Sequence, residues 1–372
     1  MIRVTGQDND SLDLVMLVRT SIQTTRTLGG APNGGAARVA RLAVALVGAF
    51  ALACGGSDSV APATADSTRV QLNGSLATVR TCAPPSAPAD ATLSIASGIV
   101  YSAGRGDTQR MDIVAPKGAS QRPMVLLLHG GGWRHGLRTD DSLRFTARVL
   151  AGQGLVVAMA DYRLTEVGAM NQFPASVADV RCAVRWLRSN AARYGGDPSR
   201  IAVAGLSAGG HLAAMLGAAR DESRLDDGSC GVSADVSPGV QAVLSYYAPS
   251  DLVSCAAETS TCLTASTYLL GVAPSASASL ASRASPITYV DSSDPPFLFV
   301  HGLRDDVIAP RQSRLLHDAL RAAGVPTGYV ELPNAGHGFP MLGASRSVLG
   351  DASQLPETCT ALSFLRATLG TS

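Results

Sequence analysis

From about residue 91 onwards, short apolar runs alternate with segments whose apolar residues recur at helical spacing. The apolar runs predict strands over 93–101, 110–114, 124–128, 155–160, 201–205, 240–247, 297–300 and 329–332. The segments between them predict helices over 174–194, 208–219, 311–323 and 357–369. Buried strands that alternate with helices are typical of a mostly parallel sheet with helices on both faces. The pattern therefore predicts one α/β domain over residues 91–372.

The N-terminal region has a different pattern, an unbroken apolar run at 42–53 behind Arg38 and Arg41. This run has the length of the hydrophobic region of a signal peptide and is too short to span a bilayer, which takes about 20 residues. An A-L-A cleavage signal at 51–53 directly precedes Cys54. We predict that residues 1–54 hold an N-terminal extension and an export signal. Cys54 is then either acylated, as in bacterial lipoproteins anchored at the cell envelope, or the first residue of a periplasmic or secreted protein.

Residues 55–90 are rich in Ala, Ser, Thr and Pro, a composition that buries little apolar surface. We interpret them as a flexible linker between the signal and the α/β domain. Net charge is +1, so nothing in the charge balance indicates a nucleic-acid partner. Neither composition nor pattern indicates an oligomeric state.

The chain has seven cysteines, of which six remain after Cys54. An even number in an exported chain suggests disulfides, with buried free thiols as the alternative. The short separation of Cys255 and Cys262 makes them the one pair that we predict. No cysteines combine with histidines at the spacing of a zinc site, so we predict no metal.

The sequence GLSAGG at 205–210 is the strongest chemical signal. A G-x-S-x-G motif alone is weak, but this one follows a predicted strand and opens a predicted helix, as a nucleophile elbow requires. Its glycines suit a turn too tight for a Cβ atom. We predict that Ser207 is a nucleophile; the alternative is a serine that caps an ordinary helix.

The sequence HGGGW at 129–133 ends another predicted strand. Consecutive glycines leave backbone amides unobstructed, which suits a group of donors for a developing oxyanion. We predict an oxyanion hole formed by the amides of Gly131, Gly132 and Ala208. A mobile glycine loop is the alternative interpretation.

His337 is the only one of six histidines that follows the last predicted strand, within a turn-rich loop. A base at that edge of the sheet can reach a serine on the elbow. The orienting acid is expected between serine and histidine in the chain, where Asp305 and Asp306 follow the 297–300 strand. We favour Asp305 and keep Asp306 as the alternative.

The remaining polar residues of these motifs have structural interpretations. His129 is expected to be structural, and His211 on the elbow helix is expected to point away from the reaction. His317 lies on an amphipathic helix and is expected to be solvated. Asp161 comes too early in the chain for the acid and is expected to brace the fold near the glycine loop.

At these motifs the chain resembles the esterase branch of the α/β hydrolases that includes hormone-sensitive-lipase-like carboxylesterases and bacterial xylan and feruloyl esterases. The matching sequences are HGGGW at 129–133, DYRL at 161–164, GLSAGGHLA at 205–213, HGLRDDVI at 301–308 and GHGF at 336–339. The resemblance implies an α/β-hydrolase fold, and the aspartate four residues after the histidine of HGLRDD, Asp305, as the acid. One departure is Ala309, where the family commonly has proline.

The predicted function is hydrolysis of small acyl esters by a Ser–His–Asp triad, without cofactor or metal, with acetyl or feruloyl esters of plant polysaccharide as one substrate class. Amide hydrolysis by the same triad and an inactive binding protein on this fold are the alternatives. Two stretches, 221–239 and 254–286, do not fit the strand–helix alternation and are interpreted as insertions. We interpret the second as part of a small cap over the active site.

Overall fold

Ten strands form one sheet in the computed structural model, which describes residues 69–72, 75–76, 86–102, 109–165, 171–343 and 355–370. The strands are β1 Arg69–Leu72, β2 Ser75–Leu76, β3 Leu93–Ser102, β4 Gln109–Pro116, β5 Arg122–Leu128, β6 Val156–Ala160, β7 Gly196–Leu206, β8 Ala242–Tyr246, β9 Phe297–Gly302 and β10 Thr327–Leu332. The helices are α1 Asp141–Gly152, α2 Ala175–Asn190, α3 Ala208–Ala218, α4 Leu252–Glu258, α5 Ser260–Leu270, α6 Ala278–Arg283, α7 Arg311–Ala322 and α8 Leu355–Leu369. The predicted signal and Cys54 lie outside the described residues.

The strand order is β2-β1-β10-β9-β8-β7-β5-β6-β4-β3. The six strands from β10 to β6 in this order pair in parallel, and the strands at both edges pair antiparallel. The carboxyl ends of the parallel strands therefore meet at one edge of the sheet. Polar residues that follow β5, β7, β9 and β10 are brought together there, at the place where open α/β sheets bind ligands.

The core has two layers because side chains alternate across the sheet. In β5, Met124 and Leu126 join a buried cluster on one face, whereas Val125 and Leu127 join the cluster on the other. All four are at most 1% exposed. A continuous apolar run is what a strand covered on both faces needs, so the apolar runs predict this sheet well.

The predicted strands and helices are all present, with ends that differ by a few residues, and the α/β fold class is confirmed. Helix α1 was not predicted from the hydrophobic pattern. Its buried Leu143, Ala147 and Leu150 recur at helical spacing, which is the signal that could have found it. No helix among the described residues has the length and apolarity to cross a membrane.

Part of the predicted linker at 55–90 belongs to the sheet. Strand β1 pairs with β10 over four residues, and β2 pairs with β1. The regular structure thus begins before residue 91, the predicted boundary. Strand β1 is short and lies at an edge, so it lacks the long buried run that identifies a central strand.

The two predicted insertions have different structures. Segment 221–239 has little regular structure and is tied to α2 by Asp226, which pairs with Arg181 and Arg185. Segment 254–286 contains most of α4 together with α5 and α6. Disulfides secure both segments: one joins Cys182 of α2 to Cys230, and the other joins Cys255 of α4 to Cys262 of α5, the pair suggested by the sequence.

Candidate active site

Ser207 sits on a strained turn between β7 and α3. Its φ is 51° and its ψ −115°, a conformation that L residues seldom adopt. Glycines on both sides make the turn possible. A Cβ on Gly205 would overlap the backbone of Gly209, and a Cβ on Gly209 would overlap the carbonyl oxygens of Leu128 and His129. The motif therefore reflects a steric need, and it presents the serine at the carboxyl edge of the sheet.

Replacement of Gly209 by alanine is expected to destabilise the fold by about 3 kcal/mol, because neither β5 nor α3 can move away from the new methyl group without loss of packing. Gly231→Ala is the matched control, since nothing lies within 4 Å of the Cβ that it would add. Urea unfolding of the two variants measures the difference. Equal free energies of unfolding would contradict the steric account of the elbow.

Ser207, His337 and Asp305 form one row of hydrogen bonds. The Ser207 Oγ lies 3.0 Å from Nε2 of His337, and Nδ1 of His337 lies 2.8 Å from Oδ2 of Asp305. The carboxylate accepts from Nδ1–H, so Nε2 is free to accept the serine proton. The side chain of His337 is 18% exposed and that of Asp305 is fully buried. The imidazole of His337 can remove a proton from the serine, and the Asp305 carboxylate can balance the positive charge that then forms on the ring.

Both oxygens of Asp305 are hydrogen-bonded. Oδ1 accepts from the amides of Val307 and Ile308, each at 2.9 Å, and Oδ2 accepts from His301 as well as from His337. Burial alone raises the pKa of the Asp305 carboxyl, but the bonds from the two histidines outweigh it and hold the pKa well below its usual range. The carboxyl is therefore ionised. The alternative acid, Asp306, is exposed and lies outside this row.

The glycine loop after β5 lies against the serine. Gly131 has φ +113° and Gly132 has φ +59°, and a Cβ on Gly131 would overlap the carbonyl oxygen of His135. Within the described part of the chain, neither glycine amide donates a hydrogen bond. The amide of Ala208 opens α3, where the helix dipole favours negative charge. The structure thus brings the three predicted amide donors to the same pocket as Ser207.

The pocket above Ser207 is an open cavity of about 330 Å³. Its walls come from the glycine loop, the elbow, the ends of β8 and β9, the His337 loop and helix α5. The lining residues are Gly130, Gly131, Gly132, Trp133, Leu206, Ser207, Ala208, Tyr247, Pro249, Thr261, Ala265, Val307, Ile308, His337 and Gly338. Because Thr261 and Ala265 belong to α5, the 254–286 insertion forms part of the pocket wall, as the cap interpretation predicts. Residues 221–239 do not line it.

The loop that carries His337 is held from two sides. The ring of Tyr247 contacts the imidazole edge to face at 4.8 Å, and its hydroxyl donates to the carbonyl of Phe339 at 2.9 Å. Gly302 allows close approach of the acid loop, because a Cβ there would overlap the carbonyl oxygen of Ala335. These contacts fix the imidazole relative to Asp305.

Glu357 anchors the far end of the same loop from helix α8. It is fully buried and accepts hydrogen bonds from the Tyr246 hydroxyl at 2.5 Å, the Thr358 hydroxyl at 3.0 Å and the backbone of Leu342. Burial raises the pKa of the Glu357 carboxyl to about 7, against the smaller lowering effect of these bonds. The carboxyl therefore titrates near neutral pH in the folded protein.

We expect Glu357 to make the protein less stable as pH rises from about 4.5 to about 7. A carboxyl whose folded pKa is above its unfolded value binds its proton more tightly in the folded state, so stability is lost as the pH rises between the two values. The loss is about 3 kcal/mol. Urea unfolding at both ends of this range measures it. Glu357→Gln should remove the loss, and Glu258→Gln, at a surface ion pair with Arg311, should keep it; the same pH dependence in all three proteins would contradict this role.

The other histidines are buried or lie away from the row. His129 stacks on Tyr162 at 4.2 Å, its Nδ1 lies 2.8 Å from the carbonyl of Gly130, and burial lowers its pKa, which agrees with the predicted structural role. His211 is buried beneath the elbow, with Nε2 2.7 Å from the carbonyl of Ala284. The solvated position predicted for His317 is wrong.

His317 is 1% exposed and packs near the rings of Phe299 and Tyr329. Its Nδ1 lies 3.1 Å from the Thr327 hydroxyl. These neighbours belong to β9 and β10, so the helix pattern alone gave no sign of them. The apolar face of α7 extends further around the helix than the sequence suggested.

Asp161 has the bracing role that we predicted. Its carboxylate accepts from the backbone amide of Arg138 at 2.7 Å and from the Arg138 guanidinium, which also donates to Asp112 at 2.9 Å. Arg138 follows the glycine loop, so this ion pair ties that loop to β4 and to the end of β6. Among the described residues no group of His, Cys, Asp or Glu is arranged to hold a metal ion.

The contacts of His301, Tyr247 and Glu357 were not predicted from the sequence. The sequence signal for His301 was its position four residues before Asp305 at the end of a strand. Tyr247 follows a strand in the same way and has φ 37°. Glu357 gave no signal, because a glutamate near the start of a helix is ordinarily exposed.

Comparison with known proteins identifies the family. The BD-FAE family profile matches residues 111–320, more than half of the 372-residue chain. Esterase LipC of Mycobacterium tuberculosis is 36% identical over 234 residues, which are 60% of this chain and 55% of LipC. The chain spans about half the length of the curated relatives that it matches.

Solved structures with a similar fold cover about three quarters of this chain. A truncated form of a carbohydrate esterase from gut microbiota has a TM-score of 0.62 and 25% identity, covering 76% of this chain and 99% of its own. Thermogutta terrifontis esterase 2 phosphorylated by paraoxon has a TM-score of 0.59 and 26% identity, covering 77% and 97%. The predicted resemblance is confirmed: the chain belongs to the BD-FAE family of α/β hydrolases.

Proposed function

We propose that this protein is a serine carboxylic ester hydrolase in which Ser207, His337 and Asp305 form the catalytic triad. The observation that carries the proposal is the row of two hydrogen bonds, 3.0 and 2.8 Å long, at the floor of a pocket lined by the glycine loop. The strained serine, the buried ionised acid and the unpaired glycine amides each agree with it. So do the esterases to which the chain is similar.

The reaction proceeds by two acyl transfers. As the Ser207 hydroxyl attacks the ester carbonyl, Nε2 of His337 takes its proton and the carbonyl oxygen becomes an oxyanion. The amides of Gly131, Gly132 and Ala208 stabilise this oxyanion, an effect worth about 3 kcal/mol per donor in related sites. His337 then gives the proton to the departing alcohol. Water repeats the sequence on the acyl-enzyme and releases the acid.

Asp305 stabilises the imidazolium that forms in each step and keeps the proton on Nδ1. Its own bonds from the amides of Val307 and Ile308 hold the carboxylate in place, so that its orientation does not change as the charge on His337 changes. The cost of reorganising the site is therefore low.

The substrates that we propose are esters of small acyl groups, with acetyl or feruloyl esters of plant polysaccharide as the favoured class. The pocket has room for a small acyl group, at about 330 Å³, and its walls are largely apolar. A Cβ added to Gly132 would lie 3.6 Å from the Cβ of Ala265. Helix α5 therefore lies next to the proposed oxyanion donors. The polysaccharide preference is supported by the similar structure of a carbohydrate esterase from gut microbiota.

We also propose that the protein is exported and that Cys54 is the first residue of the mature chain, with or without acyl groups. It is supported by the disulfides Cys182–Cys230 and Cys255–Cys262, since disulfides persist in oxidising compartments. Mass spectrometry of the mature protein made in a bacterial host tests it. We expect a chain that starts at Cys54, with or without acyl groups; a mature chain that retains residues 1–53 would contradict export.

The function is tested with a panel of p-nitrophenyl esters of increasing acyl length, matched p-nitroanilides, and acetylated and feruloylated xylan. We expect turnover of short esters, with kcat/KM for an ester far above that for the anilide of the same acid. Faster hydrolysis of the anilides would favour the amide hydrolase, and no turnover together with no fluorophosphonate labelling would favour an inactive protein. Acetate release from xylan far slower than from p-nitrophenyl acetate would overturn the polysaccharide preference alone.

A further inference from the structure

His301 is a second histidine on the catalytic acid. It lies at the end of β9, its side chain is fully buried, and both ring nitrogens have partners. Nε2 lies 3.1 Å from Oδ2 of Asp305 and 3.0 Å from the carbonyl oxygen of Ile308, whereas Nδ1 lies 2.7 Å from the Ser313 hydroxyl. The reaction described above does not use this group.

The partners of His301 determine where its proton lies. A carbonyl oxygen and a carboxylate oxygen can only accept, so Nε2 must carry the proton that both of them receive. The Ser313 hydroxyl can either donate or accept, so it is free to donate to an unprotonated Nδ1. A neutral ring with its proton on Nε2 satisfies every partner. A second positive ring beside Asp305 would instead oppose the charge that forms on His337.

The charged and titratable groups around His301 and Asp305 come from several elements. Glu331 of β10 lies beside His301 in the strand register and is paired with Arg314 of α7. The Tyr247 ring, at the end of β8, contacts His337 from the other side. The negative charge of Glu331 is balanced by Arg314. Tyr247, whose pKa is raised by burial, stays a neutral phenol. His301 and His337 are thus the two groups that bond directly to Oδ2 of Asp305.

We propose that His301 is a positioning residue that shares Oδ2 of Asp305 with His337 and so sets both the orientation and the basicity of the catalytic acid. This inference rests on the proposed triad. The bond from His301 withdraws part of the negative charge from the oxygen that faces His337. It also links Asp305 to the backbone at Ile308, whose amide bonds to the other carboxylate oxygen. The carboxylate is held at both oxygens, so it cannot rotate away from His337.

Loss of this donor has two expected consequences. Oδ2 becomes a stronger acceptor for His337, which favours the protonated imidazole, so activity requires a higher pH. The carboxylate also loses one of the bonds that orient it, so turnover falls. A residue with a merely structural role would lower stability or the active fraction without a change in the pH at which activity appears.

The test compares pH profiles of kcat/KM on p-nitrophenyl acetate for four proteins: wild type, His301→Leu, His301→Gln and His317→Leu. His301→Leu removes the donor, and His301→Gln retains an N–H that can reach Oδ2. His317→Leu is the matched control, because that histidine is also buried and its one hydrogen bond within the described part of the chain is to Thr327, away from the acid. We expect His301→Leu to lower kcat by about 10-fold to 100-fold, the range found when a metal-ligating histidine loses the partner that orients it. We also expect the acid limb of its profile to move about 0.5 pH unit higher.

His301→Gln should retain the wild-type limb and most of the turnover, and His317→Leu should keep the wild-type limb whatever its stability. An unshifted limb in an active His301→Leu protein would overturn the inference, as would an equal shift in His317→Leu. If His301→Leu does not fold, nitrogen NMR of the histidine rings in the wild-type protein decides. A neutral ring with its proton on Nε2 of His301 at the pH of the activity assays supports the inference, and a proton on Nδ1 overturns it. Inactive wild-type protein would instead mean that the proposed function itself is wrong.

Discussion

Replacement of Ser207 by alanine is expected to lower kcat for p-nitrophenyl acetate by about a million-fold, as loss of the nucleophile does in triad enzymes. The covalent route is lost completely because no other hydroxyl is on the elbow in reach of His337 Nε2. What remains is the effect of the amide donors on attack by water. KM is expected to change little, since the pocket walls and the backbone donors remain in place.

Two measurements make this result specific. Ser233→Ala, at an exposed serine in the 221–239 segment, is the control and should retain full activity. Circular dichroism and thermal unfolding should show that Ser207→Ala is folded, because removal of one partly exposed hydroxyl leaves the core untouched. A folded Ser207→Ala protein with more than a few per cent of wild-type kcat would rule out Ser207 as the nucleophile.

Asp305→Asn is expected to lower kcat by about ten thousand-fold. The asparagine keeps the shape of the side chain, but its amide nitrogen cannot accept the Nδ1 proton of His337. The imidazole would then turn to the tautomer whose Nε2 carries a proton and cannot take one from Ser207. The negative charge that balances the imidazolium is also lost.

Asp306→Asn is the control for this change because it alters the neighbouring carboxylate on the same loop, one that is exposed. We expect its kcat and KM to equal those of the wild type within about twofold. Steady-state kinetics of both variants at several pH values measure the effect. A larger loss in Asp306→Asn than in Asp305→Asn would reverse the assignment of the acid that the sequence left open between them.

The sequence predicts the central sheet and the proximity of Ser207, Asp305 and His337, because each of these features leaves a local mark. Strands buried on both faces are continuous apolar runs, and the elbow needs glycines where a Cβ would strike the backbone, as at Gly205 and Gly209. The order of serine, acid and histidine along the chain then follows from the order of the strands. At these positions the local sequence pattern is enough to predict the structure.

What the sequence misses depends on contacts between distant segments. Strand β1 is short and polar enough to resemble a linker, and its pairing with β10 and β2 gives it structure. His317 looks solvated on its helix, yet rings from β9 and β10 enclose it. The second bond to Asp305 from His301 depends on how the acid loop folds back on its own strand. The four-residue spacing of His301 and Asp305 is the only local sign of this contact, and it does not by itself predict a hydrogen bond.

The most direct test of the catalytic account is to locate the adduct formed with paraoxon. A similar esterase has been solved in its paraoxon-phosphorylated form. Intact-mass spectrometry should show one phosphoryl adduct per chain, formed in step with the loss of esterase activity, and peptide mapping should place it on Ser207. An adduct on any other residue, or full esterase activity in a protein whose Ser207 is completely modified, would contradict the assignment.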